Sequence, residues 1–299
     1  MMRLLIGLNQ AMFRERTVAT QNSSRLIVTL SRDENLRRQF KRHPQKICSA
    51  FGLSYQETQT LKKIELEILE RRSLIAVRKR LKRIKSYFPC VSSLLHKQLL
   101  TRFIAYCNCF PENKKMLRHD DARQFLLYLI SLSDYPVPGY PYANEIIDFE
   151  LTRLHFICDP LERASEESIA ASIALLSNEN WTQHHAKIFP ALQLKQYKYP
   201  IDTIMRQLLA NKRIYPYPED TCILFLQPRK KKKMIVKRLR RSTHIFLERC
   251  TGDQPILKLL RNMQPVLRLR GLEITRFENE GRHFLLQLAK EGAVQIYMV

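Results

Sequence analysis

Apolar residues recur along this chain at two different spacings. Between Asp33 and Cys158 they fall three and four positions apart, the period of helices that bury one face. Further on, Cys222-Ile-Leu-Phe-Leu226 and Met234-Ile-Val-Lys-Arg-Leu239 are short runs of strand length, and Val294, Ile296 and Met298 alternate. Punctuation sharpens the helices. Ser31 or Asp33 can cap a helix through Phe40, Pro44 suits the first turn of a second, and Gly52 ends it. Ser54-Tyr-Gln-Glu57 has the spacing of a capping box, and Leu61, Ile64, Ile68, Ile75 and Leu81 predict one long helix from Gln56 toward Ser86. Further helices are expected over Val91–Asn108, Asp121–Ser133, Tyr142–Cys158 and Glu166–Leu176.

These patterns predict an α+β chain with a mostly helical amino-terminal domain followed by a small winged helix-turn-helix domain. Residues 1–32 read as a tail with partial disorder, 33–160 as the helical domain, 161–215 as a Pro-interrupted connector and 216–299 as the winged module. Within the connector, a strand near His185–Phe189 and a short helix over Asp202–Leu209 are expected. In the module, two strands precede helices starting near 241, 254 and 279, with a terminal strand after Gly292.

Charge changes the picture most. Lys and Arg exceed Asp and Glu by 23 over 299 residues, so the surface carries a positive field that attracts polyanions or acidic peptides. Two concentrations stand out. Arg71, Arg72, Arg78, Lys79, Arg80, Lys82, Arg83 and Lys85 form a stripe on the long helix, and Lys230, Lys231, Lys232 and Lys233 fill the turn between the two strands. Either could track phosphates or hold an acidic surface.

Catalytic and metal signatures are sparse. Cys107-Asn-Cys109 and His184-His185 lack a second half at zinc spacing, and Asp120 or Asp121 reads as a helix cap rather than a metal corner. With seven glycines the chain has no phosphate-cradling loop, and it has no Ser-elbow or Cys-nucleophile motif. No cofactor, no metal and no enzymatic role is expected. Seven cysteines, mostly inside apolar runs, do not form a disulfide framework. Met1–Phe13 is a poor signal peptide, and no run of eighteen apolar residues spans a bilayer, so a cytoplasmic location is expected.

The 222–239 hairpin, the helix ending in Glu248-Arg-Cys-Thr-Gly252, the short helix after Asp253 and Phe284-Leu-Leu-Gln-Leu-Ala-Lys-Glu-Gly292 resemble the PqqD-like peptide-recognition modules of ribosomal-peptide biosynthesis. Arg72 through Phe88-Pro89, Phe103, Phe110-Pro111, Asp121-Ala-Arg-Gln-Phe125 and Tyr140 to Leu151 resemble the helical domain of HvfC-type proteins, which long carried a DNA-binding label. That resemblance implies a non-catalytic accessory subunit that binds a precursor (leader) peptide and presents it to a multinuclear-iron, TIM-barrel oxidase. It implies strand addition at Met234, Val236 and Arg238 or their alternates, and packing on Phe284, Leu285 and Leu288. Residues 33–62 are similar to a helical motif shared by the small subunit of ring-cleaving dioxygenases and by nitrogen-fixation-type leader peptides. The alternative is a basic DNA- or RNA-binding regulator using Lys230–Lys233 as a wing together with Arg78, Lys79, Lys82 and Arg83.

Overall fold

The structure is a computed structural model that describes residues 21–31, 33–112, 115–132, 140–159, 161–214, 217–229, 233–267 and 272–298. Its helices are α1 (21–31), α2 (Glu34–Arg42), α3 (Pro44–Ala50), α4 (Tyr55–Leu61), α5 (Leu66–Ile84), α6 (Pro89–Leu95), α7 (Leu99–Cys109), α8 (Arg118–Ser131), α9 (Ala143–Cys158), α10 (Glu166–Ser177), α11 (Ile201–Leu209), α12 (Arg241–Glu248), α13 (Ile256–Leu267) and α14 (Leu272–Lys290). The strands are β1 (His185–Ile188), β2 (Leu192–Tyr197), β3 (Thr221–Leu226), β4 (Ile235–Leu239), β5 (Thr251–Pro255) and β6 (Val294–Tyr297). The fold is α+β, and among the described residues the strands form two three-stranded antiparallel sheets. Two units divide it. The first takes the described residues up to Ser86 with His96–Asp121, and the second takes Tyr87–Leu95 with Ala122 onward.

In the first unit the caps act as their chemistry requires. Asp33 accepts from the Leu36 N–H at 2.9 Å, and Ser54 and Glu57 complete a capping box. Residues 21–31, expected in a tail, are helical. Leu26 and Leu30, four apart on one face, join Phe40, Cys48, Leu53, Leu61 and Leu69 in a core. The long helix expected from Gln56 is broken at 62–65, and the break changes its phase. A straight helix would bury Ile68 and Ile75. After the break, Leu69, Leu81 and Ile84 turn inward, while Ile68 and Ile75 are 44% and 52% exposed.

The inward face of α5 also carries Arg80, which the sequence places in a solvated stripe but which is only 3% exposed. Its Nε and Nη2 donate to the two Asp121 carboxylate oxygens at 2.8 and 2.6 Å, and its Nη1 donates to the Phe110 carbonyl at 2.8 Å. The Tyr106 hydroxyl donates to Asp121 Oδ1 at 2.7 Å, and the guanidinium lies 5.0 Å from the Tyr106 ring centre. Asp121 is therefore no N-cap: it sits in the first turn of α8 as the acceptor of a buried network. Burial opposes the guanidinium charge, yet the Asp121 contact holds Arg80 above its ordinary range; burial and the same carboxylate raise Tyr106.

The second unit is organised around β3. Its run Thr221-Cys-Ile-Leu-Phe-Leu226 is buried at every position, as a strand covered on both faces requires. Cys222, Leu224 and Leu226 enter a core with Phe246, Leu247, Ile256, Leu259, Leu285, Leu288 and Ile296. Phe225, on the opposite face, meets Phe149 and Phe156 of α9 at 4.9 and 6.0 Å. The supposed connector supplies sheet structure. β1, expected near His185–Phe189, is the central strand of the order β5-β1-β6, and β2, which lacks a clean alternation, pairs with β3 in the order β2-β3-β4. Residues 251–255 also depart from expectation. They form β5 on β1 rather than opening a helix at Asp253, because Gly252 at φ +94° suits an irregular strand.

Gly252 leaves no room for a side chain. Its carbonyl accepts from the Tyr297 hydroxyl at 2.9 Å, and an added Cβ would lie 2.5 Å from that oxygen. Gly252→Ala is expected to lower stability by about 1–3 kcal/mol, measured by thermal denaturation; an unchanged midpoint would show that the strand relaxes.

Glu150 of α9 is fully buried and joins this unit's helices. Its carboxylate accepts from the Cys90 and Val91 backbone N–H groups at 2.8 and 3.0 Å, so it caps the first turn of α6 from outside that helix. Pro89 at the start of α6 needs no such partner. Asp148, just before it on α9, accepts from Lys195 and Tyr197 of β2, both at 3.0 Å.

Candidate functional site

In the second unit β4 is an outer strand of its sheet. β4 pairs with β3 through Ile235↔Leu226 to Leu239↔Cys222, and among the described residues no strand covers its outer side. Alternate backbone N–H and C=O groups on such an edge point away from the ladder, ready to take another strand. Beside it runs α14, and the two border a groove of about 1150 Å³.

Side-chain alternation along β4 decides what faces this groove. Ile235 and Leu239 pack toward the core, and Lys237 between them places its ammonium 5.9 Å from the Phe284 ring centre. Phe246 of α12 and Phe277 of α14 meet edge to face at 6.4 Å and extend the apolar lining. The rim is charged. Arg276 Nε lies 3.0 Å from Glu280, and Arg240 Nη1 lies 3.9 Å from the same carboxylate. Among the described residues, Lys237, Arg240 and Arg276 line the groove against the acid Glu280, which leaves a positive balance there.

The expected peptide-contacting residues divide. Phe284 lines the groove. Leu285 and Leu288 do not: at 0% and 3% exposure they belong to the core, one helical position round from the open face. Val236 and Arg238 occupy the other face of β4, opposite Phe225 and Ile223, so the alternates Ile235, Lys237 and Leu239 are the ones turned toward α14. Val236 remains exposed, Met234 is half-buried just before the strand, and Arg238 borders the groove while its guanidinium pairs with Glu219. Lys230, Lys231 and Lys232 lie outside the described residues, and Lys233 is exposed. Arg78, Lys79, Lys82 and Arg83 are exposed on α5 in the first unit, where Arg83 pairs with Glu112.

Phe246, Phe277, Arg240, Arg276 and Glu280 are not among the residues that the sequence pattern singles out. Their signal is present, since Phe277, Glu280 and Phe284 recur at helical spacing, but α14 begins at Leu272 rather than near 279.

Other chemistry is muted among the described residues. No group of three His, Cys, Asp or Glu is placed to hold a metal, and no helix is long and apolar enough to cross a membrane. No disulfide joins the described cysteines. Burial pushes the Cys90 and Cys250 thiols up to about 12 and Cys107 to about 11, so each is a weak nucleophile at neutral pH. Of the adjacent histidines, His185 is tied into the sheet: its Nδ1 lies 2.8 Å from the Gly252 carbonyl, joining β1 and β5.

The geometry defines an α+β protein with an open strand edge beside an aromatic, cationic helix wall. No known protein-family model matches the chain, and no curated protein is similar to it.

Proposed function

We propose that the β4–α14 groove seats an extended segment of a precursor peptide, and that the chain is an accessory subunit presenting that peptide to an iron-dependent oxidase. The observation that carries the reading is the unpaired edge of β4 facing Phe284 and Phe277. An added strand gains main-chain hydrogen bonds from β4, while alternate side chains of the peptide enter the aromatic lining. The hairpin β3–β4 is followed by α12, β5, α13, α14 and β6; a hairpin leading into three helices supports a winged helix-turn-helix reading, while β5 and β6 pair with β1 rather than with the hairpin. The oxidase partner rests on the resemblance of the helical segments alone.

The test is titration of the full chain with the labelled precursor peptide of its partner oxidase, followed by fluorescence anisotropy. Saturable binding is expected, and Phe284→Ala is expected to weaken it at least tenfold, since an aromatic anchor at the centre of an interface commonly contributes about 2 kcal/mol or more. Leu285→Ala should instead lower stability. Absence of saturable binding, with and without the oxidase, overturns the proposal.

A further inference from the structure

The exposed face of α5 has no part in that groove. The sixteen residues from Arg71 to Ser86 hold eight Arg or Lys and no Asp or Glu. Arg80 is buried inside the first unit, but Arg71, Arg72, Arg78, Lys79, Lys82, Arg83 and Lys85 are all exposed. Of these, Arg83 pairs with Glu112, and the other six meet no carboxylate among the described residues. Concentrating like charges on one helix costs self-repulsion, and an external polyanion relieves it.

We infer that α5 binds the phosphate backbone of double-stranded DNA, without reading its sequence. Four properties of the face select this partner. Its cations lie in two rows, Arg71-Arg78-Lys82 and Arg72-Lys79-Arg83, about 100° apart round the helix with Ile68 and Ile75 between them, and Lys85 follows just past its end. A helix resting in the major groove, which is wide enough to admit it, can thus reach the phosphates of both strands. The deep, narrow major groove of duplex RNA does not admit such a helix. Single strands are held by stacking on aromatic side chains, and α5 has none. A membrane surface needs a free apolar face, whereas Leu69, Leu81 and Ile84 are buried and Ile68 and Ile75 are the large apolar residues of α5 left exposed. Between Leu66 and Ile84 the neutral polar side chains reduce to Ser73, so the cations are assigned to phosphates, whose contacts carry no sequence information. Glu67 and Glu70 mark where the contact stops at the amino-terminal end.

The experiment uses the full chain and a fluorescein-labelled 20-base-pair duplex of mixed sequence, as a probe length of about two helical turns, with anisotropy read across a salt series. Affinity is expected to fall linearly on logarithmic axes. The triple variant Arg78→Ala, Lys79→Ala, Lys82→Ala, with its helix content verified by circular dichroism, should reduce the salt slope by about 3 and raise Kd by about several hundredfold at 0.1 M salt. Arg83 is left in place because it already pairs with Glu112. An unchanged slope in the folded triple variant overturns the inference. So does loss of the slope on neutralising Lys230–Lys233 alone, equal affinity for a duplex RNA of the same length, or equal affinity for polyglutamate, which would mark an acidic protein partner.

Discussion

Arg80→Ala is expected to lower stability by about 3–5 kcal/mol, the range for removing one partner of a buried ion pair. The loss follows from what is left behind. Among the described residues, Asp121 would keep a buried carboxylate with the Tyr106 hydroxyl as its remaining side-chain donor, and the Phe110 carbonyl would lose the bond from Arg80. Urea denaturation measures the change, and hydrogen exchange at the α5 and α7 amides places it in the first unit. Arg80→Lys should recover part of the loss, because one ammonium cannot supply the two parallel bonds that the guanidinium makes to Oδ1 and Oδ2. The double change Arg80→Met, Asp121→Leu should recover most of it. It removes both charges, and the Tyr106 hydroxyl keeps the Asp121 backbone carbonyl at 3.3 Å as an acceptor. A single variant within about 1 kcal/mol of the parent, or a double variant less stable than the single, would refute this account.

Arg80 also shows what a sequence hides. Charge density makes residues 71–85 legible as a cationic stripe, and all but one of those cations are exposed. Nothing local distinguishes Arg80 from its neighbours: its burial depends on Asp121 and Tyr106, which arrive from 41 and 26 residues away. Elements set by nearest neighbours are readable, including the Asp33 and Ser54 caps, the turn at Gly52 and the β3–β4 hairpin. β2 is not, because Leu192-Gln-Leu-Lys-Gln-Tyr197 is a strand by virtue of β3 beside it. β5 likewise depends on β1, and its Gly252 looks from sequence like a helix stop. The groove is half legible. The open edge and the helix beside it follow from element order, but which side chains enter it depends on register and on where α14 begins. A shift of one residue exchanges Lys237 for Arg238 on the strand, and one helical position separates Phe284 on the wall from Leu285 in the core.

Glu150 yields the second large effect, and it depends on pH. Burial raises its carboxyl to about 7 despite the two backbone donors that favour the charged form. An unfolded glutamate titrates near 4.3, so between about 4.3 and 7 the folded protein holds a proton that the unfolded chain has released. Stability from this group is therefore greatest below the unfolded value, declines as pH rises through 7, and is level above it. The whole decline amounts to about 4 kcal/mol, because each tenfold difference in proton affinity between the folded and unfolded states is worth about 1.4 kcal/mol. Glu150→Gln removes the titration while keeping one acceptor for the α6 amides. The stability of the parent relative to this variant should fall by about 3 kcal/mol between pH 4 and pH 8, measured by urea denaturation at both. The other side chains are common to both proteins, so their contributions cancel in that difference. Glu150→Ala is the harsher change at either pH. It strands the Cys90 and Val91 N–H groups in the core at about 1–3 kcal/mol each, and hydrogen exchange at those two amides should quicken. A parent-to-Gln difference independent of pH would mean that water reaches the carboxylate and leaves its affinity for protons at the ordinary value.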